Sequence, residues 1–343
     1  MPRKDIVVVG ASAGGIEALR TLAAGLPRDF AASVFVVQHT AAESPGVLAD
    51  IISRAGALPA VNARDRERIE PGRIYVAPPD HHLLVEPGRV RVTKGPKENR
   101  FRPAVDPLFR SAAQVYGPRA VGVVLTGNLD DGSAGLRVVK QLGGTAVVQD
   151  PSDALYPSMP DSALRQVRAD YCLPLAEIAP LLARLAKETV DEEGVREVSE
   201  GLNIEINIAK EENAVEAGVE RLGEPSPYAC PECHGVLLQM KEDAPLRFRC
   251  HTGHAYTADS LLSDITEGVE DSLWNAIRSI EESVRLLRHM ADHMADGNGN
   301  DGLAEAFRRK AGEAQSRSDL VRRAAMRHEG LSTDKAADDG ESS

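Results

Sequence analysis

Ser12 lies in Gly10-Ala11-Ser12-Ala13-Gly14, a G-x-S-x-G pattern. Glycines two residues to either side of a serine remove side chains that would clash in a sharp strand-to-helix turn, and such a turn offers the hydroxyl as a nucleophile. A serine hydroxyl attacks a carbonyl when a base takes its proton and a carboxylate orients that base. The chain supplies candidates for both roles in His39 and in Asp131 of Thr126-Gly127-Asn128-Leu129-Asp130-Asp131-Gly132. The chemistry implied is acyl transfer. Competing uses of the glycine-rich turn are a pyrophosphate cradle, although Ser12 replaces the second glycine of G-x-G-x-x-G, and close packing of a helix on a strand. His81 and His82 are alternative bases, and Asp130 and Asp131 are alternatively cap or turn residues ahead of Ser133.

A second group is Cys230-Pro231-Glu232-Cys233 followed by Cys250-His251-Thr252-Gly253-His254. Three thiolates and an imidazole at this spacing make a closed, tetrahedral Cys₃His zinc site of structural type. His254 is preferred to His251 as the fourth ligand, because the chain can curl back from Cys250 to the metal. The alternative is a small core of reduced cysteines. The one remaining cysteine, Cys172, and an N-terminus that reads as a strand rather than an export signal favour metal over disulfides, and the cytoplasm.

The elements that must hold these residues follow from hydrophobic pattern. Ile6–Val9 reads as a buried strand entering the Ser12 turn, with a helix from Ile16 to Leu26. Ser33–Gln38 is a second strand ending at His39, and Ala120–Leu125 a third running into the aspartate loop. Ligands bind beyond the carboxyl ends of strands in open parallel sheets, so all three residues fall at one edge. Further strands are predicted at Arg73–Ala77 and Thr145–Gln149, a hairpin at Leu83–Glu86 and Arg89–Thr93, and helices at Ser44–Ala55, Asp106–Tyr116, Ser133–Leu142 and Leu175–Lys187. This alternation predicts an α/β fold, a doubly wound and mostly parallel sheet with flanking helices, followed by a small zinc-ribbon-like module and a helical hairpin.

The expected organisation is an α/β domain over 1–188, an acidic, partly disordered linker over 189–226, a Cys/His module over 227–260, a helical hairpin over 261–328 and a disordered tail over 329–343. The α/β domain is expected to fold without the Cys/His module. The hairpin rests on a stripe through Ile265, Val269, Leu273, Ile277, Ile280, Val284, Leu287 and Met294, with a second helix from Leu303 to Met326, and suggests a coiled-coil partner or homodimer. A net charge of −12 argues against a general nucleic-acid binder, and no apolar run reaches the length of a membrane span.

Val9-Gly10-Ala11-Ser12-Ala13-Gly14-Gly15 resembles the nucleophile segment of the chemotaxis protein-glutamate methylesterases, the CheB family. Gln38-His39 resembles that family's histidine segment, and Val124-Leu125-Thr126-Gly127 with Asp131-Gly132 its aspartate segment. Arg73–Pro78, Arg102-Pro103-Ala104-Val105-Asp106 and Met159-Pro160 match further blocks in the same order. The resemblance covers about residues 5–187 and departs at Asn128-Leu129, where the family usually has Met-Gly, and at Ala13, where threonine is common. It implies a cofactor-free serine esterase with Ser12, His39 and Asp131 as triad. Its substrates would be glutamate γ-methyl esters on chemoreceptor-like helical proteins, with glutamine deamidation as a further activity. The family's receiver domain is expected to be missing, since only five residues precede the first strand. The contrasting expectation is a non-catalytic docking or scaffold protein that binds partners through the esterase-like domain and the hairpin.

Overall fold

All six residues of Ile6–Ala11 are buried, as a strand covered by helices on both faces of a sheet requires. This strand, β1, is central to a seven-stranded parallel sheet. The structure, a computed structural model, describes residues 1–191, 198–211, 213–241, 245–296 and 301–328. After β1 come α1 (Gly15–Gly25), β2 (Ser33–Gln38), α2 (Leu48–Ala55), β3 (Ala60–Asn62) and β4 (Ile74–Val76). An antiparallel hairpin of β5 (His82–Glu86) and β6 (Arg89–Thr93) leads to α3 (Val105–Tyr116), β7 (Ala120–Val124), α4 (Ser133–Gln141), β8 (Thr145–Gln149), α5 (Ser158–Gln166), β9 (Tyr171–Leu173) and α6 (Leu175–Leu185).

The strand order β3-β4-β2-β1-β7-β8-β9 reverses direction at β1, so a crevice opens beyond the carboxyl ends of β2, β1 and β7. Successive β1 side chains serve opposite faces: Val7 and Val9 join Leu19, Leu22 and Leu182, whereas Val8 joins Phe109, Leu136 and Val148. The doubly wound α/β architecture is as the alternation of strands and helices predicts. The short strands β3 and β9 and the helix α5 escape a reading by apolar runs, because three-residue strands and a helix containing Pro160 carry little periodicity.

The stretch 189–226 is not simply an acidic linker. Glu200–Ala209 forms α7, whose N-cap Ser199 accepts from the Leu202 amide, and Leu202 and Ile206 pack into the second apolar layer. Part of that stretch, 192–197 and 212, lies outside the described residues, as does the predicted tail at 329–343. After the short α8 (Ala214–Ala217), strands β10 (Gly223–Ala229), β11 (Val236–Met240), β12 (Arg247–Cys250) and β13 (Ala255–Thr257) form an antiparallel sheet carrying the cysteines.

Nor do the boundaries at 188 and 227 divide the structure, because Met1–Leu261 is one compact unit. Its parts are joined by buried charge. Arg110 on α3 donates to Glu98 at 2.5 Å, Arg249 on β12 donates to Glu98 at 3.0 Å and to Glu205 on α7 at 2.7 Å, and Arg247 on β12 also pairs with Glu205. Burial would raise the Glu205 carboxyl, but the Arg247, Arg110 and Arg249 guanidiniums outweigh it and hold the group well below its ordinary range. An acidic helix therefore looked solvated in sequence because its cationic partners lie far away along the chain.

The second unit, Leu262–Ser343, contains most of α9 (Ala258–Asp296) and α10 (Asp301–Met326). Ile277, Val284 and Ala291 are buried at seven-residue intervals on α9, and Ala304, Ala311, Ser318 and Ala325 likewise on α10. The helices run antiparallel, with Glu281 paired with Arg322 and Asp292 with Arg308 across them. Ile265 and Val269, although part of the predicted stripe, are 41% and 43% exposed. A 3.6-residue helix drifts against a seven-residue seam, so a stripe drawn over the whole helix runs off the contact. No helix among the described residues is long and apolar enough to cross a membrane.

Candidate active site and metal centre

Ser12 follows β1 directly, and α1 begins three residues later after Gly14, which takes a φ of 74° open chiefly to glycine. Gly10 serves a different purpose. A Cβ there would lie 2.3 Å from Val105 Cγ1, so its absence lets the N-terminus of α3 press against β1. That helix N-terminus has work at the site: the amides of Val105 and Asp106 donate to Asp131 at 2.7 and 3.3 Å. Gly127 admits Ser12 itself, since a Cβ at that position would sit 2.8 Å from Ser12 Cβ and 2.2 Å from Met159 Sδ.

The three residues expected from sequence lie together at the sheet edge. His39 Nδ1 is 3.1 Å from Ser12 Oγ, and His39 Nε2 is 2.7 Å from Asp131 Oδ2. With the proton on Nε2, the ring donates to the carboxylate and turns the Nδ1 lone pair toward the hydroxyl. The main chain fixes both partners, the Ser12 amide donating to Thr126 O at 3.0 Å and the His39 amide to Ala11 O at 3.2 Å. Gln38 Nε2 donates to Ser12 O at 2.7 Å. Burial would raise the Asp131 carboxyl, but hydrogen bonds and charge from His39, then the Val105 amide and Asn99, hold it below its ordinary value.

The alternative residues are engaged elsewhere. His82 is buried with Nε2 2.9 Å from Pro96 O, and His81 Nδ1 lies 2.9 Å from Pro79 O. Asp130 is buried and accepts from the Thr257 hydroxyl at 2.7 Å. Burial, together with the neighbouring carboxylates and against that hydrogen bond, pushes Asp130 up to about 7. Burial and the Asp131 charge likewise push Asp106 up to about 7. In the departing Asn128-Leu129 segment, Leu129 takes a φ of 64°, which costs a leucine about 1–2 kcal/mol.

Sequence reasoning missed Asn99 and Phe101. Asn99 Nδ2 donates to Asp131 Oδ1 at 2.9 Å and to Asp106 Oδ2 at 3.0 Å, and the Phe101 ring stacks on His39. Both precede the Arg102–Asp106 block noted in the sequence, and a polar Asn-Arg pair there reads only as a turn. An open cleft beside Ser12 and His39, about 640 Å³, is also lined by Glu43, Asp80, Lys97 and Arg102.

The donor atoms of Cys230, Cys233, Cys250 and His254 all lie within 4.8 Å of one another. Cys233 Sγ is 3.7 Å from Cys250 Sγ, and His254 Nδ1 is 3.7 Å from Cys230 Sγ and 3.6 Å from Cys250 Sγ. Bonds of about 2.3 Å to one tetrahedral ion place thiolates roughly 3.8 Å apart, so this spacing and this donor set fit zinc. His251 is not in the group.

A parallel α/β sheet with serine, histidine and aspartate gathered beyond its carboxyl edge is an arrangement suited to acyl transfer, the class of chemistry that serine hydrolases perform. Residues 7–182 match the family model for CheB methylesterase, and the chain belongs to that family. A Leptospira interrogans protein bearing the name protein-glutamate methylesterase/protein-glutamine glutaminase is 39% identical over 189 residues, covering 98% of its length and 55% of this chain. The protein of that name from Maricaulis maris is 37% identical, covering 47% of its length and 54% of this chain. Among solved structures, the Thermotoga maritima CheB methylesterase catalytic domain is 36% identical with a TM-score of 0.51, covering 98% of that chain and 53% of this one.

Proposed function

We propose that this chain hydrolyses glutamate γ-methyl esters on chemoreceptor-like helical proteins, with Ser12 as nucleophile, His39 as general base and acid, and Asp131 as its orienting carboxylate. The observation that carries this is the continuous Ser12–His39–Asp131 chain of contacts, at 3.1 and 2.7 Å. Ser12 Oγ bonds to the ester carbonyl carbon as His39 Nδ1 takes its proton. Collapse of the tetrahedral adduct breaks the bond to methoxide, which leaves as methanol with the proton from His39. Water, deprotonated by His39, then releases glutamate and free Ser12; a glutamine substrate would lose ammonia in place of methanol. Among the described residues, no backbone carbonyl accepts from the amides of Ala13 and Gly14, and these supply the oxyanion donors at the mouth of α1.

Catalysis in this proposal uses no cofactor. Cys230, Cys233, Cys250 and His254 hold one zinc ion, which supplies structural cross-linking of β10–β13 and no step of the reaction. The enzyme acts in the cytoplasm, and the hairpin offers a helical partner or second copy its exposed Ile265, Val269 and Trp274. The docking-only alternative gains nothing from an intact nucleophile and base.

The test is methanol release from a receptor fragment carrying glutamate methyl esters, with a fluorophosphonate marking the reactive serine. Release by the parent but not by Ser12→Ala, with the probe on Ser12, is the expected result. Probe-labelled enzyme that leaves every receptor ester intact would sink the substrate assignment. No labelling at all would sink the serine mechanism.

A further inference from the structure

Glu98-Asn99-Arg100-Phe101 is a tight hairpin turn, with Glu98 and Phe101 amides and carbonyls paired at 3.1 and 2.9 Å. Asn99 and Arg100 both take positive φ, 50° and 76°, as a two-residue type I′ loop demands. The turn touches both partners of the catalytic assembly: Asn99 donates to Asp131, and Phe101 stacks on His39. Its outer side is held by the metal module. The Asn99 amide donates to Ala255 O at 2.8 Å and the Ala255 amide to Lys97 O at 3.2 Å. The Thr257 amide donates to Asn99 Oδ1 at 3.1 Å, while the Thr257 hydroxyl donates to Asp130, next to Asp131, at 2.7 Å. Ser260 Oγ adds a contact to Asn99 Oδ1 at 3.3 Å.

Strand β13 starts at Ala255, the residue after the candidate ligand His254. Lys97, at the base of the turn, also pairs at 2.6 Å with Glu232, between Cys230 and Cys233. Arg249, beside Cys250, joins Glu98 to Gly253 O, inside the loop that returns the chain to His254. The metal ligands and the turn are therefore tied together at three points, none of which is a long flexible contact except the Lys97–Glu232 pair. A carboxylate that orients a base must be fixed to a fraction of an ångström for the proton transfer to stay productive.

We propose that the metal module controls the hydrolase site: Asn99 and Thr257 are positioning residues that hold Asp131 and the Phe101 ring against His39 only when Cys230, Cys233, Cys250 and His254 are gathered on one ion. The inference rests on the esterase reading and on metal binding by these four residues. It makes the esterase conditional on metal loading, and on the reduced state of the three thiols that loading requires.

The experiment uses the full chain, loaded with one equivalent of zinc, stripped by chelation, and as Thr257→Val and Thr257→Ser with zinc bound. One readout is the proton NMR resonance of His39 Nε2–H, shared with Asp131. The other is the rate at which a fluorophosphonate labels Ser12. Stripping should broaden or shift the His39 resonance and slow labelling at least about tenfold, and zinc should restore both. Thr257→Val should reproduce the loss at full zinc content, because it removes the donor to Asp130, whereas Thr257→Ser should retain the parent's behaviour. An unaltered His39 resonance and labelling rate in stripped, folded protein would overturn the proposal. Should stripping unfold the chain, Thr257→Val decides: parental behaviour in that variant would overturn it equally. A parent that never reacts with the probe would refute the esterase reading, while the His39 resonance would still decide the coupling.

Discussion

The ring of Phe101 lies flat on the imidazole of His39, with centroids 3.7 Å apart and planes inclined by 8°. His39 is thus fixed on a face as well as at both nitrogens. Phe101→Ala should lower turnover about tenfold by freeing the ring to tilt, while Phe101→Tyr keeps most of it. Steady-state kinetics on a methyl-esterified receptor fragment checks this, and a fall in KM alone would contradict it.

Ser12→Ala should reduce turnover on the order of 10⁴-fold or more, and Asp131→Asn nearly as much, because an amide favours the wrong imidazole tautomer. Asp130→Asn keeps an oxygen for the Thr257 hydroxyl and should stay within a few-fold of the parent. Exchange of these two outcomes would transfer the orienting role to Asp130.

The placement of the candidate triad was legible in the sequence because it depends on strand ends. Ser12, His39 and Asp131 follow three short apolar runs that read as buried strands and form them. What stayed hidden was carried by contacts between distant parts of the chain. Asn99 meets Thr257, and Glu205 meets Arg249, through partners that no local pattern announces. Glu205 within an acidic stretch gave the opposite impression, that of a solvated linker, because sequence shows charge without showing what neutralises it.

Asp130 ties stability to pH. Its carboxyl, pushed up to about 7 by burial, binds a proton in the folded chain that the unfolded chain releases near pH 4. Between those values the unfolded state binds fewer protons, so this residue's contribution to stability falls as pH rises and levels off above about 7. Asp130→Asn removes that loss. The Tm of the variant minus that of the parent should grow from pH 4 to about pH 7; a constant difference in calorimetric scans would show Asp130 to be ionised throughout.

Glu205→Ala should destabilise the protein by about 3–5 kcal/mol, since it leaves Arg247 and Arg249 buried beside one fewer carboxylate. Urea unfolding of the full chain measures this. A loss under about 1 kcal/mol would mean that Glu98 alone balances the guanidiniums.

Metal analysis should find one zinc per chain, lost in Cys250→Ser along with several degrees of Tm, because four donors spread over Cys230 to His254 lose their common ion. Protein purified without chelators and free of zinc would end the metal assignment.

The buried ion cluster also bears on how such a chain can be recombined. Catalytic cores joined to accessory parts by loose tethers can be exchanged as cassettes. Here Arg247 and Arg249 enter the interior only because Glu98 and Glu205 await them, and α7 contributes Leu202 and Ile206 to the layer behind the sheet. A catalytic core taken from a relative would accept this C-terminal portion only if it brought an acidic residue to the place of Glu98, since Glu205 travels with Arg247 and Arg249. Exchange of such parts is therefore constrained at Glu98 and Arg110, the buried charges that the core itself supplies to the cluster.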